Sequence, residues 1–308
     1  MGALHQRSVL SAVLAVSVSI LAGLARAQTP ASTEPAPPAD AAATQDAAPG
    51  MMQPLVSMEA GPSNQLTPFA PHWIRTPEGR TLGFGYGLEK MLSQNWDVEV
   101  DSAMDSNSPH QGSHETGFGA VSMLTRFVFI NQPDMMATVA PTMSLGVGSL
   151  GQSTGINDAG LALLWRGRGG ALPENWNLGY FRALELHADL AYSRILQDGS
   201  GDEISFNTVF NYSLPYMQYL MKTELPQPVR NLCFFTEFNL DAVVSGSSAG
   251  AATLYTTPGI SYLTDNYQVS AGVQLPLNHA ADHAQQVALI GSVAFSLDSV
   301  PVLGFMPF

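Results

Sequence analysis

Between residues 80 and 104, hydrophobic positions alternate with small or polar ones. Leu82, Phe84, Tyr86 and Leu88 are separated by Gly83, Gly85 and Gly87; after a short break, Trp96, Val98 and Val100 are separated by Asp97, Glu99 and Asp101. A period of two places each set on its own face of a strand, one aliphatic and aromatic, the other glycine or carboxylate. The alternation returns further on. Leu184, Leu186, Ala188 and Leu190 oppose Glu185, His187 and Asp189. Ile204, Phe206, Phe210 and Tyr212 oppose Ser205, Asn207, Asn211 and Ser213, and Phe234, Phe238 and Leu240 oppose Glu237, Asn239 and Asp241. Similar runs cover 137–148, 267–275 and 287–297. Many reach about nine residues or more, the length of a strand that crosses a bilayer at a tilt. Ordinary strands average five or six.

Less regular runs at 117–130, 160–169 and 253–263 bring the clear strands to about eleven, on the period-two criterion. Short turns at 91–95, 131–134 and 264–266 alternate with longer polar loops at 102–115, 149–158, 197–201, 245–250 and 278–284. Short turns belong on the periplasmic side of a barrel and long loops outside. On that rule one more strand must precede 81–90. The candidate is Gln65–Arg75, whose Pro68 and Pro71 make it irregular in a way that edge positions permit. The expected fold is therefore all-β, a transmembrane antiparallel up-and-down β-barrel of about twelve strands, an even number as such barrels require. The segment 216–221 is expected to be a short interfacial helix capping the rim; a plain long turn fits its periodicity as well. Trp96, Trp165, Trp176, Tyr180, Tyr192 and Tyr212 fall near strand ends, where aromatic girdles form.

The N-terminus reads as a secretory signal. His5 and Arg7 precede an apolar run from Val9 to Leu24, and Ala25-Arg26-Ala27 is a small-x-small cleavage site, so residues 1–27 are expected to be removed. Beyond them no apolar run approaches the ~20 residues of a spanning helix, which leaves strands as the only route through a membrane. Residues 28–66 are rich in Ala, Pro, Thr, Ser and Gln and read as a disordered periplasmic leader. The barrel is expected over 67–308. The terminal Phe308 suits handover to the outer-membrane assembly machinery.

A formal net charge of −13 with only 12 basic residues argues against a nucleic-acid partner. The lone Cys233 can form no internal disulfide and reads as a small packed residue.

The segments FGYGLEK and NWDVEV, then NLCFFTEFNLDAVVSGSSAG and TPGISYLTDNYQVSAGVQLPLN, resemble a bacterial family labelled "MetA-pathway of phenol degradation". The resemblance covers roughly 81–308. It implies an outer-membrane β-barrel with a transport or channel function; no residue here selects a phenol.

If the polar faces turn inward, the lumen carries Asp97, Glu99, Asp101, Glu185, His187, Asp189, Glu237 and Asp241, joined by Arg126 and Arg166 on less regular strands. Rings of charge tune which solutes pass. The expectation is a passive channel in the bacterial outer membrane, bounded by lipid, carrying a small-molecule solute and needing no cofactor; no GxxxxGK[ST] nucleotide loop is present. The alternative is an interior packed with acid–arginine pairs, since twelve strands enclose a modest space. Two other classes stand behind the channel. A membrane-embedded hydrolase would need a nucleophile oriented by a histidine such as His187. A structural or adhesive barrel would act through its loops. The pairs His110/His114 and His279/His283 have the spacing of two ligands on one helical face, but both fall in expected external loops without an HExxH sequence and read as solvated.

Overall fold

The computed structural model describes residues 51–147, 154–196, 201–247 and 249–299. The signal and cleavage site, residues 28–50 of the leader, and Phe308 lie outside the described residues. So do loop residues 148–153 and 197–200.

The strands are β1 (Gln65–Arg75), β2 (Gly79–Ser93), β3 (Trp96–Pro109), β4 (Glu115–Phe118), β5 (Val121–Gln132), β6 (Met135–Val147) and β7 (Thr154–Arg168). They continue as β8 (Leu184–Ile195), β9 (Gly201–Ser213), β10 (Leu232–Val243), β11 (Ala252–Leu263), β12 (Tyr267–Pro276) and β13 (Val287–Ser296). Apart from β4 and β5, which both pair with β3, each pairs antiparallel with its neighbour in sequence, and β1 pairs with both β2 and β13, which closes the sheet. β4 and β5 lie against successive stretches of β3, Met104–Asn107 and Trp96–Asp101 respectively, so together they make one wall strand interrupted at Gly119-Ala120. The result is a closed barrel of twelve wall strands.

β1 coincides with the expected first strand, but not as an edge strand. In a closed barrel no edge remains. Pro68 is accommodated differently: the register of β1 shifts between Thr67 and Ala70 against β2, and between Leu66 and Phe69 against β13, so it sits in a bulge on both sides, while Pro71 stays in register with Phe84 of β2. A bulge leaves its extra residue outside the ladder, where a missing N–H costs nothing.

The pattern of burial is inside out relative to a soluble sandwich. Leu82, Leu88, Phe127, Phe129, Leu161, Phe210, Phe234 and Leu289 are exposed on the outer wall, whereas Asp97, Arg126, Glu185, His187, Asn211 and Glu237 are almost wholly buried within it. Trp96 stacks on Phe127 at one rim, with ring centroids 5.5 Å apart.

The two ends differ. One carries the short β2–β3, β5–β6 and β11–β12 turns, the start of β1 and the end of β13; the other carries the longer loops and the short β1–β2 turn. Two corrections apply here. At the long-loop end β2 and β3 stay paired up to Gly79 and Pro109, where a loop was expected from 102. Ser102, Ser106 and Ser108 hide this extension, because a ladder that continues beyond lipid needs no oily face. At the short-turn end the β7–β8 connection, residues 169–183, is a long one folded into three 3₁₀ turns, with Trp176, Tyr180 and Phe181 exposed on it. The expected helix is present there as α1 (Leu214–Met221), capped by the Ser213 hydroxyl accepting from the Tyr216 N–H at 3.2 Å. Its tyrosines do gather: Tyr216 and Tyr219 stack at 6.0 Å.

The third correction concerns the leader. Its final stretch is not loose. Residues 51–64 run inside the barrel and Gln65 already belongs to β1.

Candidate functional site, a belted polar lumen

From Gln53 to Ser63 the chain follows the inner wall, touching the strands nearly in their order around the barrel. The Gln53 N–H donates to Gln268 of β12 at 3.0 Å. Leu55, Val56 and Ser57 donate their N–H groups to the Glu237 carboxylate of β10 at 2.5, 3.0 and 2.9 Å, and the Ser57 hydroxyl adds a fourth bond at 3.0 Å. Met58 donates to Asp189 of β8 at 3.3 Å. Glu59 pairs with Arg166 of β7 at 3.0 Å. The Ala60 carbonyl accepts from Thr138 of β6 at 2.5 Å and the Gly61 carbonyl from Arg126 of β5 at 3.3 Å. Ser63 donates to Glu89 of β2 at 2.6 Å and Asp97 of β3 at 3.3 Å. These eleven residues reach at most about 35–40 Å when extended, enough to follow the inside of the wall. The belt forms no regular element of its own, so the wall must satisfy its backbone polar groups.

Apolar seats hold it as well. Met52 is fully buried with Val209, Cys233 and Phe235, and Leu55 packs against them. Ala60 is buried with Ala140, Ala162, Leu164 and Ala191, with Met58 against the group. Cys233 thus has the packed setting expected of it.

The belt divides the lumen into two levels. On the short-turn side and at the belt itself, charges are paired. The Arg126 guanidinium lies 2.5 Å from Glu89, 2.7 Å from Asp97, and bonds Glu99. Arg168 bonds Glu185 at 2.9 Å, and the Glu185 carboxylate also accepts from Asn211. His187 is buried between Glu185 and Asp189, and among the described residues neither ring nitrogen has a hydrogen-bond partner. Below, Tyr216 of α1 donates to Asp134 at 2.8 Å and lies under Arg168, whose guanidinium carbon is 4.4 Å from the ring centroid. Burial, then the bond to Asp134, holds that phenol above its usual range.

On the long-loop side lies a cavity of about 710 Å³. Belt residues Gln53–Glu59 line it together with Asp101, Asp158, Ser144, Ser193 and Ser205. Asp105, Glu203 and Asp241 continue the inward-facing set toward the loops, by the alternation of their strands. Arg126 reaches the cavity from the belt level. Among the described strand residues above it, His72 is the inward basic group, 2.8 Å from Asp105.

The ten residues singled out from sequence therefore serve different purposes. Asp97, Glu99 and Arg126 form one ion cluster. Arg166, Asp189 and Glu237 hold the belt, while Glu185 and His187 are buried below it. Asp101 borders the cavity, and Asp241 continues its acidic side. Sequence reasoning missed Glu89, Arg168 and the belt. Glu89 continues the Gly83, Gly85, Gly87 face. A subtler signal pointed to the belt: Val209, Cys233 and Phe235 are apolar at inward positions of otherwise polar faces, and an apolar inner wall implies an occupant.

His279 and His283 face each other on helix α2 (His279–Ala284) with rings 4.0 Å apart. His114 bonds Ser106 and Ser108 hydroxyls at 3.0 Å. Among the described residues no group of three or more possible ligands gathers.

No family model matches the sequence, and no characterised relative does. Solved structures do match in fold. The NanC porin aligns with a TM-score of 0.50 at 6% identity, over 74% of this chain and 100% of its own. The KdgM porin aligns at 0.40 and 10% identity, over 74% and 98%. LpxR from Salmonella typhimurium aligns at 0.43 and 7% identity, over 75% and 99%. This chain is an outer-membrane β-barrel. Its oily outer wall, closed sheet and polar interior are the arrangement that lipid demands of strands, and its place is the bacterial outer membrane.

Proposed function

We propose that this outer-membrane barrel passes small hydrophilic solutes down their gradient, and that its outer vestibule favours cationic or neutral ones. The observation that carries the reading is the cavity above the belt, bordered by the carboxylates of Asp101 and Asp158 and continued toward the loops by Asp105, Glu203 and Asp241. A wall of one sign concentrates counter-ions and repels like charge. The resemblance to the phenol-degradation family supports transport in general and adds no solute. Among the described residues no hydroxyl or carboxylate bonds the His187 ring, so its setting lends no support to a hydrolase, in which base catalysis needs such an orienting partner.

Purified protein in planar bilayers tests the reading. Discrete conductance steps with a reversal potential favouring cations are expected. Changing Asp101 and Asp241 together to Asn should lower that preference. Asp97→Asn should do so far less, because Asp97 is bound to Arg126. An absence of steps, or an unchanged reversal potential in the double variant, refutes it.

A further inference from the structure

The carboxylates that the alternation pattern assigns to the lumen cannot all act on a passing solute. Glu237 spends its oxygens on three belt N–H groups and a hydroxyl. Asp189 spends its oxygens on Asn207 and Met58, and Asp97 and Glu89 serve Arg126 and Ser63. At this level the wall's charge is turned toward the belt, and what remains to meet a solute is the belt's own inner side.

That side has one prominent side chain. From Met52 to Asn64, Val56 is the one exposed side chain, at 40%, and it borders the cavity. Its neighbours also border the cavity but are half-buried and anchored to the wall: Leu55 packs near Met52, Met58 against Ala162 and its group, and Glu59 is held by Arg166, while Ala60 is fully buried. An exposed aliphatic side chain inside a hydrophilic barrel is not explained by packing. We propose that the belt is the selectivity element of the lumen and that Val56 is its solute-facing, specificity-determining residue, a short apolar step beneath the acidic vestibule. Small solutes with a modest apolar portion would cross it more readily than fully hydrated ions of the same size, because an apolar constriction penalises retained water. This inference rests on the channel reading.

Two experiments keep it separable from that reading. First, in a Cys233→Ala background, Val56→Cys and Ala60→Cys are reacted with a membrane-impermeant thiol reagent on cells. Fast labelling at 56 with protection at 60 is expected. Equal labelling at both positions, or none at 56, overturns the belt's placement whether or not the protein conducts. Second, Val56→Trp should lower the single-channel conductance at least roughly twofold, and Val56→Asp should raise cation preference. A wild type that conducts, with both variants indistinguishable from it, overturns the role of Val56. A wild type that never conducts, with the labelling pattern as expected, overturns the channel reading and its selectivity element while leaving the belt where the structure puts it.

Discussion

Glu237→Gln isolates the tie between belt and wall. The native carboxylate accepts four hydrogen bonds from the belt, three of them to Oε2. Gln is nearly isosteric and keeps one acceptor oxygen, but its amide nitrogen must then face N–H donors. Hydrogen bonds to an ionised acceptor contribute about 1.5–3 kcal/mol each, against about 1 for a neutral one. With the amide oxygen turned to the three donors at the Oε2 position, those bonds weaken by about 0.5 kcal/mol each and the fourth, from Leu55, is lost at about 1.5–3 kcal/mol, so the belt should lose about 3–4.5 kcal/mol. At ~1.4 kcal/mol per tenfold, that raises local opening by roughly 10²–10³. The strands do not depend on this carboxylate for their pairing, so the barrel itself should persist. Hydrogen exchange on detergent-solubilised protein measures both: amides of 55–57 should lose protection by that factor, while those of β10 and β11 keep theirs. If exchange at 55–57 is unchanged, the carboxylate does not hold the belt. If the whole barrel loses protection, the belt is not a separate unit.

Arg126→Met removes the cation shared by Glu89, Asp97 and Glu99, leaving buried carboxylates facing one another. A cost of about 3–5 kcal/mol is expected, read as loss of the heat-modifiable folded band on a gel; an undiminished band would contradict it. Leu163→Arg, on the outer wall midway along β7, should cost about 2–4 kcal/mol in folding into lipid vesicles, and a tolerated arginine would mean that this face does not meet acyl chains. Tyr216→Phe removes the bond to Asp134 and should lower the thermal midpoint by the equivalent of about 1 kcal/mol, without changing conductance.

The alternation in the sequence determined the strands, because a period of two leaves only two faces, and the length of the strands, their number and the alternation of turns with loops pointed to a membrane barrel. It also determined which residues point inward: Asp97, Glu185 and Asp241 were legible without any coordinates, since each sits between two apolar neighbours on its strand. The sequence could not tell which of those inward groups stay available, because that depends on partners far away along the chain. Glu237 meets Leu55 across about 180 residues, and nothing local to either marks the contact. The leader's composition pointed to disorder for a sound reason, namely that it has too little apolar surface to build a core of its own. Met52, Leu55 and Ala60 need no core of their own when the inner wall of a barrel supplies the other half. Only the closed tertiary structure provides that wall, and it alone decided that the lumen carries an inner belt rather than a ring of bare carboxylates.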